Sequence, residues 1–285
     1  MKINKISPRE NVYLQILENI ANAPKSLNYI GILPNERKPT VAIVGTRKPT
    51  VYGKEVTHRI AHELAQKGVV IISGLAFGVD YIAQASAVRA GGTTIAVLAN
   101  ALPDIRPASN RALADAIIAS GSAIVSEKEE DYVVGKWSFL ERNRIISGLA
   151  DAVIITEAAS RSGSLNTAAH ALEQGKDVFV VPGNITSTMS AGCNQLLKQG
   201  AQVLTSSDDV ITAIAPQLLS GQSVLPLGTT PLETKIIALL AKGIRDGDEL
   251  QQKAKTSATE LSTTLTMLEI NGAIRPLGAN QWTLR

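Results

Sequence analysis

A single cysteine, Cys193, stands among the 285 residues, so no internal disulfide can form and a reducing cytoplasm is the expected setting. Aromatic residues are also scarce, with three Phe, five Tyr and two Trp, while alanine, isoleucine, valine and leucine abound. This is the composition of a soluble globular protein, long enough to bury a full core and leave room for a small second domain. No apolar run approaches the ~20 residues of a membrane span, and the amino-terminal MKINKISPREN lacks the apolar centre of a secretory signal. Charge of neither sign prevails. Residues 1–40 carry six Lys/Arg and three Asp/Glu, residues 41–215 fifteen against sixteen, and residues 231–285 seven against six. A net charge of +3 distributed in this way excludes a broad basic face, so any nucleic-acid reading must rest on local clusters. The G-x-G-x-x-G and Walker A signatures are missing too, which argues against an ordinary dinucleotide site and an NTPase.

What is present begins with a short amino-terminal segment. In residues 1–40 the stretch YLQILENIA has helical spacing and Pro24, Pro34 and Pro39 act as breakers, so a helical lead-in packed on the next domain is expected. From Val41 onward, strand–turn–helix units repeat. Apolar strands are expected at residues 41–44, 69–73, 93–98, 122–126, 152–156 and 177–181, with a last short one at 201–204. Helices are expected between them, at 52–67, 79–90, 110–120, 139–149, 164–174, near 193–199 and at 207–214. Continuous apolar strands alternating with helices predict an α/β domain over residues 41–215, an extended Rossmann-like, mostly parallel sheet with helices on both faces. Ligands of such sheets bind outside the carboxyl ends of the strands, where this chain concentrates its glycine, proline and unpaired cations. Residues 216–230, uncharged with prolines and glycines, read as a linker. Three helices and a Gly-turned hairpin over residues 231–285 predict a winged-helix domain.

The candidate chemistry gathers around the strand Val153-Ile154-Ile155, within residues 136–166. Ahead of the strand lie Lys136, Trp137, Phe139, Arg142 and Arg144 on an expected exposed loop and helix; after it come Arg161, Ser162, Gly163 and Ser164. Gly45, Thr46, Arg47 and Lys48 follow the first strand of the sheet. Gly45 would let backbone approach an anion, Arg47 would grip it with two prongs, and Ser162 or Ser164 would cap the following helix. Such tripeptides are more often plain capped turns, but several at strand carboxyl ends favour a phosphate-bearing ligand. Lys136, Trp137 and Phe139 suit base stacking along a charged backbone, but Trp137 could equally be packing, and Phe139 begins a helix that must bury something. The acidic run Glu127, Glu129, Glu130 and Asp131 is expected to be a solvated outward turn. Catalytic candidates are thin. His58 and His62 share a helix face but lack a third ligand, so no metal is expected, and that face reads as structural. His170 reads as packing and Cys193 as a small buried residue. Glu157 could act as an acid or base, or cap loop amides, and the second fits better. The candidate recognition helix, SATELSTTLTMLEI, has Glu260 and Glu269 but no Lys or Arg, which argues against groove docking.

These residues fall into longer motifs: GTR with Tyr52-Gly53, SGLAFGVD at 73–80, GGTTIAVL at 91–98, KWSFLERNRIISGLAD at 136–151, EAASRSGSLNTAAHALEQGKDVFVVPG at 157–183 and GCNQLLKQGA at 192–201. With these motifs, and with LEINGAIRPLGANQW near the end, the chain resembles the DprA/Smf family of DNA-processing proteins of bacterial natural transformation. The resemblance implies a Rossmann-like homodimer that binds single-stranded DNA without sequence preference. It also implies loading of the RecA recombinase, with displacement of or cooperation with single-strand binding protein, and neither enzymatic activity nor a cofactor. Carried over by motif, Arg47, Lys136, Phe139, Arg142, Asn143, Ser162, Gly163 and Ser164 bind the nucleic acid, and the reading of the residues themselves adds Gly45, Lys48 and Arg161. The chain departs from the family at Phe77, where arginine is frequent, at Gln84, where histidine is frequent, and at Ala99 to Pro103, usually glycine-rich. Its amino-terminal helical domain is at most a remnant.

Two other readings compete. One is a nucleotide phosphohydrolase or N-glycosidase of the LOG type, in which Glu157 would do chemistry; such enzymes carry PGGxGT where this chain has SRSGSL. The other is a winged-helix regulator of transcription, which a third helix without Lys or Arg disfavours.

Overall fold

The computed structural model describes residues 2–219, 230–241, 243–271, 273–278 and 280–284. The chain forms two compact units, Met1–Leu219 and Ser220–Arg285.

The larger unit is built on one nine-stranded sheet. Its strands in chain order are β1 (Asn4–Ile6), β2 (Leu27–Gly31), β3 (Thr40–Val44), β4 (Val70–Ser73), β5 (Thr94–Leu98), β6 (Ala123–Ser126), β7 (Ala152–Ile155), β8 (Asp177–Val180) and β9 (Gln202–Val203). Across the sheet they run β1-β2-β6-β5-β4-β3-β7-β8-β9. From β6 to β9 every pairing is parallel, while β1 and β2 close the β6 edge in antiparallel fashion. Chain order reverses between β3 and β7, which part to either side of the domain and leave the crevice where open α/β sheets hold ligands.

The central strands are buried along their whole length, as a parallel sheet covered on both faces requires. Successive side chains point to opposite faces. Ala42 and Val44 join one core with Ile72, Val97, Val153 and Leu149; Val41 and Ile43 join another with Ile60, Leu64, Ile71 and Ile154. The helices are α1 (Val51–Gln66), α2 (Val79–Arg89), α3 (Arg111–Ala119), α4 (Lys136–Leu149), α5 (Ser164–Glu173), α6 (Ala191–Lys198) and α7 (Ser207–Ile214). Residues of α4, α5 and α6 line the first core, those of α1, α2 and α7 the second, and those of α3 a third over β5 and β6.

Several expectations need correction. The lead-in is not helical: it forms β1, β2 and short 3-10 turns at Pro8–Glu10 and Gln15–Asn19. The helical spacing of Tyr13, Leu14 and Leu17 serves to bury all three against the sheet core, and the Tyr13 hydroxyl meets Thr40 Oγ1 at 3.0 Å. The strand β2 escaped notice because its partner β6 lies far along the chain. Helix α4 begins at Lys136, so Lys136, Trp137 and Phe139 stand on its first turn and not on a loop. The Ser138 hydroxyl starts that turn by accepting the Gly135 N–H at 2.9 Å. The last strand shrinks to Gln202–Val203. Glu127 is not solvated; it pairs with buried Arg144 at 2.6 Å, and Glu129 pairs with Lys5 at 2.8 Å. Of the expected linker, residues 216–219 belong to the larger unit, where Leu218 packs against the second core. Residues 220–229 lie outside the described residues, as does Arg285.

The smaller unit contains α8 (Pro231–Ala241), α9 (Gly247–Ala254), α10 (Ala258–Ile270) and the antiparallel pair β10 (Ile274–Gly278) and β11 (Gln281–Leu284), the winged-helix order. Asp246 caps α9, and Ser257 with Glu260 forms a capping box on α10. Ile236, Ile237, Leu250, Leu261, Leu265, Leu268 and Ile274 make its own core. No helix among the described residues is long and apolar enough to cross a membrane.

Candidate nucleic-acid interface

The β3–β7 switch point opens into a cavity of about 590 Å³. The β3–α1 turn supplies Gly45, Thr46 and Arg47. The segment after β7 supplies Arg161, Ser162, Gly163 and Ser164, the last being the first residue of α5. Helix α4 supplies Lys136, Phe139, Leu140 and Asn143, spaced so that all four share one helical face. Ten of the eleven residues expected from sequence therefore meet in one place. Lys48 does not: it points into a neighbouring groove with Lys54, Phe77 and Tyr81, because the turn carries consecutive side chains apart.

The cations of the cavity are not equivalent. Arg47 is exposed and lies over the Phe139 ring, 5.4 Å from its centroid, so the two present a composite flat surface. Lys136 and Arg161 are exposed, and among the described residues neither has an ion pair. Arg142 is only 5% exposed, and the protein holds its guanidinium through one nitrogen. One nitrogen donates to the carbonyls of Gly74, at 2.8 Å, and Val97. Burial lowers the Arg142 pKa to about 10, against the pull of nearby Asp80. Asp80 lines the same floor and accepts the Gly74 N–H at 3.0 Å; burial raises its carboxyl above the usual range although Arg142 opposes the shift. Arg142 thus belongs to the pocket as its scaffold, tying the ends of β4 and β5 to α4, and sets a positive floor under the exposed groups.

Two polar groups of the lining lack partners among the described residues, Thr167 Oγ1 and Arg142 Nε. Buried groups of this kind ordinarily find a hydrogen bond, and a bound anion oxygen would supply one. Ser162 and Ser164 share a hydroxyl–hydroxyl hydrogen bond of 2.7 Å at the start of α5, which a phosphate would meet at the positive end of the helix dipole. An added Cβ at Gly163 would touch nothing within 4 Å, so packing does not demand glycine there and its bare backbone faces open space. Gly45 differs. A Cβ there would sit 2.7 Å from both the Glu157 carbonyl and Val79 Cγ2, so its smallness serves close packing of the turn.

The remaining candidates fall outside the cavity. Trp137 is 58% exposed but turns to the 128–135 loop, edge-on to Tyr132 at 5.8 Å with the Lys128 ammonium 6.0 Å from its ring centre. It packs the loop and lines no part of the cavity. The Glu157 carboxylate caps the β3–α1 turn, accepting the Thr50 N–H at 2.8 Å and the Thr50 hydroxyl at 2.6 Å. His58 bonds to Ser86 at 2.8 Å, and burial pushes the Cys193 thiol up to about 12. Sequence reasoning missed Asp80, Leu140 and Thr167. Asp80 sits inside the SGLAFGVD motif, and Thr167 falls one helical turn after Ser164, which was the available signal.

Comparison with known proteins matches two family profiles to the chain. The profile described as DNA recombination-mediator protein A matches residues 4–215, and that described as DprA winged helix domain matches residues 222–280. The chain is 41% identical over 211 residues to the DNA processing protein DprA of Bacillus subtilis (strain 168), covering 73% of this chain and 70% of that one. Among solved structures, DNA processing protein A from Streptococcus pneumoniae superposes with a TM-score of 0.67 at 36% identity, over 75% of each chain. DNA processing protein A from Helicobacter pylori, described for its single-stranded DNA binding mode, gives a TM-score of 0.66 at 35% identity, over 76% of this chain and 97% of that one.

Proposed function

Because the chain belongs to the DNA recombination-mediator protein A family, we propose that it binds single-stranded DNA without sequence preference through the cavity between β3 and β7. The observation that carries this reading is the cavity itself. It joins free cations at Arg47, Lys136 and Arg161, a stacking surface at Phe139 and the amino terminus of α5, which is the equipment for a phosphate backbone with unpaired bases. The family's description as a recombination mediator supports a further step. The bound strand would pass to the RecA recombinase in the presence of single-strand binding protein, with the protein acting as a cytoplasmic homodimer during natural transformation.

The protein acts here by binding and not by catalysis. Support comes from Glu157, the carboxylate on which a nucleotide phosphohydrolase or N-glycosidase would depend: both its oxygens are engaged by Thr50, and it lines a different hollow with Tyr52 and Ser190. The experiment is a titration by fluorescence anisotropy against single-stranded, duplex and mononucleotide ligands. Single strands should bind best. The Arg47→Ala, Lys136→Ala double variant should lose about 100-fold in affinity, since each charge-assisted contact is worth roughly tenfold or more. Wild-type affinity in that variant, or release of base or ribose phosphate that stops with Glu157→Gln, would overturn the proposal.

A further inference from the structure

The cavity does not end at Arg47. On the far side of that residue a second groove of about 590 Å³ is lined by Lys48, Lys54, Phe77 and Tyr81, with Arg47 shared between the two. Its walls are the β3–α1 turn with the first turn of α1 and the β4–α2 loop with the first turn of α2. Phe77 is 49% exposed and Tyr81 41%, in a chain with only ten aromatic residues. Rings placed for packing would be covered, and neither of these stacks on another ring among the described residues. Lys48 and Lys54 are exposed without an ion pair, and no carboxylate lines the groove among the described residues. Two free aromatic faces between two free ammonium groups match a strand that alternates flat bases with phosphates.

We infer that this groove is a second contact for single-stranded DNA, in which Phe77 and Tyr81 stack bases and Lys48 and Lys54 hold the phosphates of a strand leaving the cavity past Arg47. The inference rests on the proposed single-strand binding by the cavity. It adds that the footprint runs onto α1 and α2. A cavity acting alone offers three free cations, Arg47, Lys136 and Arg161, and predicts a slope of log affinity against log salt of about −2; adding Lys48 and Lys54 predicts about −3.5.

The test uses the full chain and an oligothymidylate of about 20 nucleotides, long enough to cross both sites. Phe77→Ala, Tyr81→Ala should weaken binding by about tenfold or more, as loss of base–aromatic stacking does. Phe77→Leu, Tyr81→Leu, which retains apolar bulk but not the rings, should weaken it comparably and guards against a folding defect in the first variant. Lys48→Ala, Lys54→Ala should flatten the salt slope by about 1.4. An oligonucleotide carrying 5-iodouracil should photo-crosslink to the peptide that contains Phe77 and Tyr81. Wild-type affinity and slope in these variants, with no crosslink there, would overturn the second contact while leaving the cavity reading intact. Failure of the wild-type chain to bind the oligonucleotide at all would remove the cavity reading and the groove with it.

Discussion

Arg142 and Arg47 line the same cavity and do opposite work. One nitrogen of the Arg142 guanidinium is spent on the carbonyls of Gly74 and Val97, while the guanidinium of Arg47 lies open over Phe139. Removing Arg142 would leave those carbonyls and the buried Asp80 uncompensated. Arg142→Ala should therefore destabilise the larger unit by about 3 kcal/mol or more in urea unfolding. Arg142→Lys should recover only part of that loss, because a single ammonium cannot reproduce the forked geometry of a guanidinium. Arg47→Ala, by contrast, should leave the unfolding midpoint unchanged. The pair separates a buried scaffold from an open cation in a way that residue type cannot, since both are arginines within conspicuous motifs. Glu157 teaches the same lesson, as its place after a strand suggests chemistry while its partners make it a cap.

At the scale of elements, the apolar strands β3 to β8 were legible because each is a short run buried on both faces, and burial is written directly into composition. The amino-terminal strands were not. β2 carries a mixed pattern, and what makes it a strand is the open edge of β6, which no local signal reveals. Capping of α7 joins residues that lie close together in the chain. Asp209 accepts from the Thr205 and Ser206 N–H groups at 2.7 and 2.9 Å at the start of α7, and these backbone hydrogen bonds lower its pKa below the usual value. A carboxylate depressed in the folded state stabilises it above the unfolded pKa of about 4, and that contribution is lost as pH falls through the folded value. The protection of the α7 amides against exchange, taken relative to their intrinsic rates, should accordingly fall on acidification below about pH 4, a dependence that Asp209→Asn should flatten.

On the scale of the whole molecule, the two units have separate cores, and the smaller one buries few side chains. Leu265→Ala opens a cavity in that small core and should cost it about 2–5 kcal/mol. Calorimetry of the full chain should show this as a drop in the small unit's transition alone, with the larger unit's melting and its oligonucleotide affinity unchanged. A single shared transition moving with Leu265 would show instead that the units unfold together.

The α/β class, the winged-helix order of the last segment and the motifs that meet at the switch point are all legible in the amino-acid sequence. These follow from hydrophobic period, breakers and caps, all properties of neighbours along the chain. Folding decided that Lys136 and Phe139 stand on the first turn of α4, that Lys48 faces the neighbouring groove and not the cavity, that Trp137 packs a loop, and that Arg142 ties strand ends to α4. Each of these depends on which distant backbone and side chains lie within hydrogen-bonding or packing reach, and those distances are created by folding. The scarce aromatics tell the same story: composition shows how few there are, and the fold decides that Phe77 and Tyr81 are the ones left uncovered beside the lysines.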